Sequence, residues 1–386
     1  MAGFLFLNTA NTTLLSAAKN GLFLAEYEAA QIPLAIIAAA LLTAVVAVIF
    51  TGIVAGTQRR ILATGLTGVL AISVLACRTM FEINPRTAFW VYLWLSAVQV
   101  LVLTHAWEYS SSTLTGRQAK RMLPMMGVGA SLGAIAGGAG VGTLAVRLGT
   151  PNLLWLSVAL LLAGLPLLWL IDEPIREIDD QGAKNPLMVF LKRSGRGFHS
   201  VATSKLLRIL AFGLIALTMT GTLIDLQLKF AIQSVYGQNE ITAIYGLMSA
   251  GIGAGTLLLQ LWASRVLFPR FGVSFAAILH GGTLVFAAGG ATLFGGLTML
   301  MLAQALDDIL QFSLQKPVEQ VSMLPFPGRV KTAALATLGG VLRPLSKAAG
   351  GGVALALATR PELLSLATIA SASLAVAAYS RHRSHY

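Results

Sequence analysis

Long apolar segments separated by short polar ones follow one another along nearly the whole chain. Most of them reach the roughly 20 residues that a helix needs to cross the hydrocarbon core of a bilayer. We therefore predict an all-α integral membrane protein. Its twelve or so spans are expected at residues 4–24, 31–56, 60–80, 86–108, 121–147, 151–172, 206–234, 240–264, 272–292, 295–316, 329–357 and 361–380. Only the glycine-rich stretch "AAGGATLFGG" separates the ninth span from the tenth.

One long polar stretch, residues 173–205, divides the predicted spans into two groups of six. We interpret it as a cytosolic linker between an N-terminal bundle, residues 1–172, and a C-terminal bundle, residues 206–386. Two equal bundles are typical of secondary transporters, in which a repeated bundle forms the fold and the substrate site lies where the repeats meet. The pattern therefore favours a transporter.

The basic residues are distributed unevenly between the predicted loops. Hydrophobic residues make up 56% of the chain and charged residues 11%, yet the formal net charge is +12. With the N-terminus inside, nineteen basic residues fall on the cytosolic side, Lys316 among them, and four fall outside: Arg78, Arg86, Arg147 and Arg360. This positive-inside pattern predicts that both termini are cytosolic. We attribute the excess positive charge to the orientation of the chain in the membrane and to contact with anionic lipid headgroups. Nucleic acid is therefore not an expected partner.

Several classes of function lack their sequence signals. The chain has one cysteine, Cys77, and no G-x-x-x-x-G-K-[ST] phosphate-binding loop. No histidines, cysteines and acids are grouped with metal-ligand spacing, and no nucleophile is recognisable beside a base. We therefore expect a protein that is not an enzyme and that needs no cofactor or metal.

Glycine recurs every four residues in the fifth predicted span, at Gly129, Gly133 and Gly137. This spacing is typical of membrane helices whose backbones approach one another closely. We predict a helix–helix contact along this face.

Polar residues form stripes at helical spacing in the first, fourth, seventh and tenth predicted spans. Charged residues inside a bilayer cost several kcal/mol when they face lipid, so they usually face a bundle interior or a water-filled cavity. The stripes consist of Asn8, Thr12, Ser16 and Lys19; Thr104, His105 and Glu108; Asp225, Lys229 and Gln233; and Gln304, Asp308, Gln311 and Gln315. Because the four spans hold the same position in each triplet of helices, we expect them to surround one polar cavity that binds the substrate.

A structural alternative stands beside each of these interpretations. Asp225 and Lys229, four residues apart, face the same side of a helix and are expected either to serve the cavity or to form an ion pair that never meets substrate. Glu108, at the end of its span, is either a cavity residue or an interfacial one. Arg343 and Lys347, on either side of Pro344, are expected to serve the cavity or to lock helices together.

Three further titratable residues lie within predicted spans. Asp307 points about 100° away from Asp308 on a helix, and we expect it to be the less central of the two. His105 is a candidate proton relay because imidazole titrates near neutral pH, and Asp307 is a second relay candidate. The alternative for His105 is a packed, hydrogen-bonded histidine, and this is the expectation for His280, which has no charged neighbour in its own helix.

Four segments of the sequence resemble one transporter family. They are "LSAAKNGLFL" at 15–24, "RQAKRMLPMMGVGASLGAIAGG" at 117–138, "LIDLQLKFAI" at 223–232 and "FSLQKPVEQVSMLPFPGRVKTAALATLGGVLRPLSKAAGG" at 312–351. Together they resemble the ATP/ADP translocases of plastids and intracellular bacteria and their wider bacterial relatives, a branch of the major facilitator fold. The resemblance implies a bacterial cytoplasmic (inner) membrane and a nucleotide among the candidate substrates.

The resemblance implicates Lys19, Asp225 and Lys229 in transport, and Glu108 less directly. Four positions depart from the family pattern. Two basic positions are Ser16 and Glu319 here, and two acidic positions are Asn20 and Gln320. A triphosphate requires several cationic groups, so these departures weaken the case for ATP itself.

The sequence as a whole favours a secondary transporter that works by alternating access on a small anionic or phosphorylated metabolite. Lys19 and Lys229 are expected to attract the anionic group. Asp225 and Asp308 are expected to pair with these lysines when no substrate is bound, or to bind a base, a sugar or a coupling proton. The alternatives are a scaffold or sensor that has lost transport, and a lipid transporter or flippase.

Overall fold

The computed structural model describes residues 1–54, 59–112, 114, 116–171, 195, 197–323, 326, 328–358 and 360–383. Within these ranges the regular structure is entirely helical. Residues 173–194 of the predicted linker lie outside the described part of the chain, and so does Pro325 of the last family-like segment.

The helices follow the apolar segments closely. They are α1 Ala2–Glu26, α2 Ile32–Val54, α3 Arg59–Ile83, α4 Ala88–Ser112, α5 Gly116–Leu148, α6 Leu153–Trp169, α7 Lys205–Gln233, α8 Gln238–Trp262, α9 Phe268–Phe294, α10 Leu297–Leu310, α11 Lys316–Ser322, α12 Gly328–Thr337, α13 Arg343–Ala356 and α14 Pro361–Arg383. Every predicted span coincides with helical residues. Ten helical segments of the described chain are long and apolar enough to cross a membrane. The more polar first and eleventh spans are not among them, so a total of twelve stays a prediction.

Large apolar side chains lie on the outside of the protein. Ile83, Phe286 and Leu293 each expose more than four-fifths of their surface. Large apolar side chains with this much exposed surface favour contact with lipid over contact with water. Their exposure therefore agrees with the ten membrane-capable helices. The chain is that of an integral membrane protein.

The chain forms two compact units. Unit 1 contains α1, the part of α2 from Val45 onward, α3 to α6, and α8 up to Ala254. Unit 2 contains α2 up to Ala44, α7, α8 from Gly255 onward, and α9 to α14. Helices α2 and α8 thus contribute to both units. The division into bundles at 1–172 and 206–386 stays a prediction.

In unit 1, helix α1 packs against α4, α5 and α6. A β-carbon on Gly129, Gly133 or Gly137 would collide with the α1 backbone at Ala2, Phe6 or Ala10 respectively. Both sets of residues are spaced by four, so the two helices touch backbone to backbone over two turns. The helix contact predicted from the glycine spacing is confirmed.

In unit 2, helix α7 packs against α10, α13 and α14. The apolar core around it includes Leu207, Leu214 and Ile224, together with Tyr379 of α14. Helix α7 is thereby fixed against the helices that carry Asp307 and Asp308 on one side, and Arg343 and Lys347 on another. It begins at Ser204, whose hydroxyl accepts a hydrogen bond from the Leu207 amide at 3.4 Å.

In the part of unit 2 that the structure describes there are three π-helical segments: Ala263–Leu267, Gln311–Gln315 and Leu338–Leu342. Each ends two residues before a proline, namely Pro269, Pro317 or Pro344. A proline ring clashes with the carbonyl four residues earlier and lacks an amide proton. The wider turn, in which the amide before the proline bonds five residues back, accommodates the ring without ending the helix.

The tenth predicted span ends too early at residue 316. The helical path runs from Leu297 to Ser322, because the π-helical segment carries the chain past Pro317. Lys316, assigned to the cytosolic side by its polar neighbours, therefore lies inside a membrane-capable helix. The boundary before this span falls at Gly295 and Gly296, whose positive φ values of 63° and 85° make the turn.

Candidate functional site

Lys19 is held by residues of α4 in unit 1. Its Nζ donates hydrogen bonds to Ser96 Oγ at 3.0 Å and to Gln99 Oε1 at 2.9 Å, and it lies 5.3 Å from the centre of the Tyr92 ring. Ser96 donates its own proton to the Tyr92 carbonyl, which leaves its oxygen free to accept from the lysine. Three groups thus orient one half-buried ammonium.

Gln99 also connects α4 to the polar stripe of α1. Its amide nitrogen donates to the Thr12 carbonyl at 2.9 Å. The other stripe residues are satisfied within α1: Asn8 Nδ2 donates to the Phe4 carbonyl and Thr12 Oγ1 to the Thr9 carbonyl. Ser16 is half-buried. The Lys19 side chain thus extends from this stripe to α4.

The candidates of the fourth span face different environments. His105 is buried, with its ring 6.2 Å from that of Tyr109. Glu108 and Thr104 are exposed. The exposure of Glu108, together with its place near the end of α4, is consistent with the interfacial alternative.

In unit 2, Asp225 and Lys229 form an ion pair along one face of α7. The lysine side chain is 4% exposed and the aspartate side chain 28% exposed. The carboxylate therefore stays accessible while it neutralises a buried ammonium, which lowers the cost of keeping that ammonium inside the helix bundle.

Asp308 of α10 accepts a hydrogen bond from Gln304 Nε2 at 3.0 Å and is half-buried, as is Gln311 one turn later. The charge of Asp308 interacts with those of Asp225 and Lys347. Lys347, on α13, is an exposed side chain. Since an ammonium facing lipid costs several kcal/mol, the exposed face of Lys347 is best explained by contact with water.

Arg343, at the start of α13, forms an ion pair with Glu319 of α11. Its Nη2 lies 2.8 Å and 3.1 Å from the two carboxylate oxygens. Gln315 donates to the same carboxylate at 3.3 Å and to the Tyr379 hydroxyl at 2.8 Å. Glu319 is therefore fixed from two sides.

Lys316 stands over the Phe312 ring, with Nζ 4.2 Å from the ring centre. Its charge interacts with those of Arg343, Glu319, Lys347 and Asp308. The lysine is thus connected through its charge to the Arg343–Glu319 pair and to Asp308, although the sequence placed it on the cytosolic side.

These residues form one group, which we call the unit 2 charge cluster. The charge of Lys347 interacts with those of Asp225, Lys229, Asp308 and Arg343, and so connects the α7 pair to the α11–α13 pair. The cluster consists of Lys229, Lys316, Arg343 and Lys347 with Asp225, Asp307, Asp308 and Glu319. Four basic groups balance four carboxylates, which lowers the cost of keeping these charges within the helix bundle.

Asp307 and His280 form a buried pair that the sequence did not indicate. His280 Nε2 lies 3.2 Å from Asp307 Oδ1, and both residues are almost fully buried. Asp307 thus points toward α9, whereas Asp308 points toward Gln304. His280 is packed and hydrogen-bonded, and its charged partner comes from the next span and not from its own helix.

The predicted stripes of the first and fourth spans lie in unit 1, and those of the seventh and tenth spans lie in unit 2. A single cavity lined by all four stays a prediction. Sequence reasoning missed Lys316, Glu319 and His280. The tenth span was predicted to end at residue 316, which left Glu319 outside it, and the π turn before Pro317 gives no composition signal of its own.

No family model and no characterised protein matches this chain by sequence. Solved structures match it over nearly its full length. The nucleoside transporter NupG is 15% identical, with a TM-score of 0.64 and 98% of each chain covered. A POT family transporter in complex with 5-aminolevulinic acid is 11% identical, with a TM-score of 0.66 over 98% of this chain and 94% of that one. The chain shares the fold of these solved transporters.

A bacterial homologue of the human lysosomal transporter Spinster also matches, at 15% identity and a TM-score of 0.56, over 98% of this chain and 93% of the homologue. At such identities the likeness concerns the fold, so the chemistry of the site has to come from this chain's own residues.

Proposed function

We propose that this protein is a secondary transporter of a small anionic metabolite, and that the unit 2 charge cluster binds the anionic group. The cluster itself is the observation that supports this most strongly. Four basic side chains and four carboxylates lie together inside or beside membrane-capable helices, and two of the basic groups form ion pairs. Such charges are expensive in a membrane protein unless a polar solute or ion uses them.

The proposed binding step is an exchange of partners. An incoming phosphate or carboxylate competes with Asp225 for Lys229 and is attracted by Lys347, whose side chain is already exposed. Lysine suits this role because its ammonium is a compact charge on a flexible stem and binds oxyanions of varied shape. The released Asp225 and the half-buried Asp308 then accept hydrogen bonds from the neutral part of the solute.

Lys19, in unit 1, is a further basic group that we propose attracts the anion. Its ammonium donates hydrogen bonds to Ser96 Oγ and Gln99 Oε1, which hold it in place. The family resemblance adds a phosphorylated solute, and specifically a nucleotide, to the candidates. Glu319, which pairs with Arg343, reduces the positive charge and favours a diphosphate or monophosphate over a triphosphate.

The solved neighbours are described as transporters of nucleosides and peptides, and one of them binds 5-aminolevulinic acid. They support transport as the function of this fold in the present chain as well. We place the protein in a bacterial cytoplasmic membrane and infer that it works by alternating access.

Counterflow in proteoliposomes tests the proposal. Vesicles containing the purified protein and unlabelled ADP are diluted into labelled ADP, and label accumulates inside if the protein exchanges the two. We expect accumulation with the parent protein and a loss of at least about tenfold with Lys229→Ala, since an ion-pairing ammonium contributes on the order of 1.5–3 kcal/mol to anion binding.

Lys205→Ala is the matched control, because Lys205 is an exposed lysine at the start of the same helix. It should leave counterflow unchanged. An absence of counterflow would reject the nucleotide form of the proposal. Counterflow that is as fast in both Lys19→Ala and Lys229→Ala as in the parent protein would reject it equally.

A further inference from the structure

The His280–Asp307 pair is isolated from water. Its two side chains are 0% and 5% exposed, and the second imidazole nitrogen, Nδ1, has no hydrogen-bond partner in the described part of the chain. A histidine and a carboxylate in hydrogen-bonding contact share a proton and change protonation as one unit. The pair therefore has two states that differ by one proton. A change between these states is a full unit of charge in a medium of low polarity.

Both apolar and charged residues lie on the elements packed around the pair. From α7, Gly221 lies against the Asp307 carboxylate, which a β-carbon at this position would meet. From α14, Ala372 and Val376 lie beside Gly281, the neighbour of His280. The charged residues that the structure describes on these elements are Lys205, Arg208, Asp225 and Lys229 on α7, Arg265 on the Ala263–Leu267 segment, Arg270 on α9, Asp308 on α10, Lys316 and Glu319 on the Gln311–Ser322 segment, and Glu362, Arg381 and Arg383 on α14. Lys347 on α13 interacts through its charge with Asp308.

The pair is directly connected to the solute-binding residues. Gly221, Asp225 and Lys229 are spaced by four on α7, so the Asp307 carboxylate lies against the turn that precedes the Asp225–Lys229 pair. Asp307 is also adjacent to Asp308, and the charges of these two residues interact. A change of charge at Asp307 therefore acts on the Asp225–Lys229 pair across one helical turn. This electrostatic interaction is strong because the surroundings have low polarity.

We propose that the His280–Asp307 pair is a proton-binding site that couples proton binding to anion binding by the unit 2 charge cluster. Without the proton, the four carboxylates of the cluster balance its four basic groups. When the pair gains a proton, the imidazolium neutralises Asp307 and leaves the cluster with a surplus of one positive charge. Proton and anion then favour each other's binding, and this preference is reciprocal. The coupling rests on the proposed transport function, whereas the proton site itself does not.

Imidazole nitrogen NMR of the protein in lipid nanodiscs tests the proton site without any solute. With ¹⁵N-labelled histidine, the signal of His280 is assigned by its disappearance in His280→Gln. Between about pH 5 and about pH 9, which brackets ordinary histidine titration, we expect this signal to change between two protonation forms. His280 held in one form throughout this range would overturn the proposal.

Asp307→Asn supplies the second comparison, since it keeps the shape of the carboxylate but cannot share the proton. The protonation change of His280 should be lost or displaced from its parental pH range in this variant. An unchanged titration would show that His280 exchanges its proton independently of Asp307, and would equally overturn the pair as the site. His199→Gln, at an exposed histidine, serves as the control for the substitution itself.

Transport measurements test the proton coupling separately from the proposed transport function. In proteoliposomes with an alkaline interior, we expect labelled ADP uptake to be at least about fivefold faster than without the gradient, and His280→Gln to abolish this acceleration. ADP exchange that is unaffected by the gradient would reject the coupling and leave the transport function standing. An absence of all ADP exchange would reject the nucleotide, while the NMR result still decides the proton site.

Discussion

The carboxylate of Asp307 occupies the space that a β-carbon on Gly221 would fill. This contact brings α10 against α7 and positions Asp307 to meet His280 from the opposite side. A glycine is required at this position because of the close approach, and not because of backbone conformation, since Gly221 lies within a regular helix. One residue without a side chain thus makes room for a buried pair on two other helices.

The first prediction concerns this glycine. Gly221→Ala should destabilise the protein by about 1–3 kcal/mol, as overpacked cores do, although alanine is the better helix former. Unfolding followed by tryptophan fluorescence in detergent measures the change. Gly289→Ala, in α9, is the matched control because a β-carbon at this position would have no neighbouring atom within 4 Å; it should be neutral or slightly stabilising. A stabilised Gly221→Ala would contradict the packing described above.

The second prediction distinguishes an ion pair that serves transport from one that serves folding only. Lys229→Gln leaves Asp225 without its lysine and should lower the free energy of unfolding by about 1–3 kcal/mol. The double variant Asp225→Asn/Lys229→Gln should regain most of that stability, because both charges are gone.

Counterflow of labelled ADP should nevertheless stay at least about tenfold below the parent in the double variant, since the ammonium that attracts the anion is missing. A double variant that regains both stability and transport would show that the pair is structural only.

The third prediction concerns Glu319, which stands where the resembled family has a basic residue. Glu319→Gln removes a negative charge beside Arg343 and Lys316 and should lower the KM for ADP roughly three- to tenfold, equivalent to about 0.7–1.4 kcal/mol. Glu362→Gln, at an exposed acid in the first turn of α14, removes the same charge elsewhere and should leave KM unchanged. A KM that rises in Glu319→Gln would indicate that Arg343 needs its partner for position.

The fourth prediction concerns the way in which unit 1 holds Lys19. Gln99→Leu removes one acceptor of the ammonium and the donor to the Thr12 carbonyl. We expect a KM increase of roughly threefold to tenfold from the loss of one charge-assisted hydrogen bond, with little change in maximal rate. Lys19→Gln should have a larger effect on the same measurement. Kinetics of Lys19→Gln that match the parent would remove Lys19 from the site.

Much of the fold follows from the sequence because lipid restricts the chain to helices of a known length. The four polar stripes could be found because side chains on one helical face recur every three or four residues. The glycine face of α5 was found from its spacing for the same reason. These signals are local, and each concerns one helix at a time.

The features of the candidate site that the sequence did not predict depend on contacts between helices. His280 and Asp307 are 27 residues apart, and their contact requires the space at Gly221, which no periodicity reveals. Lys316 and Glu319 looked like loop residues because Pro317 normally ends a helix. The π-helical turn before the proline lets the helix continue, and this turn is specified by packing and not by composition.

The central claim is that the charges of unit 2 select an anionic solute, and a comparison of matched solutes tests it most directly. Proteoliposomes are given labelled ADP or labelled adenosine, which share a base and a sugar and differ in the phosphates, and initial uptake is measured for the parent and for Lys229→Gln. We predict that the parent takes up ADP at least about tenfold faster than adenosine and that Lys229→Gln removes this preference. Uptake of adenosine as fast as ADP, in both proteins, would contradict the claim.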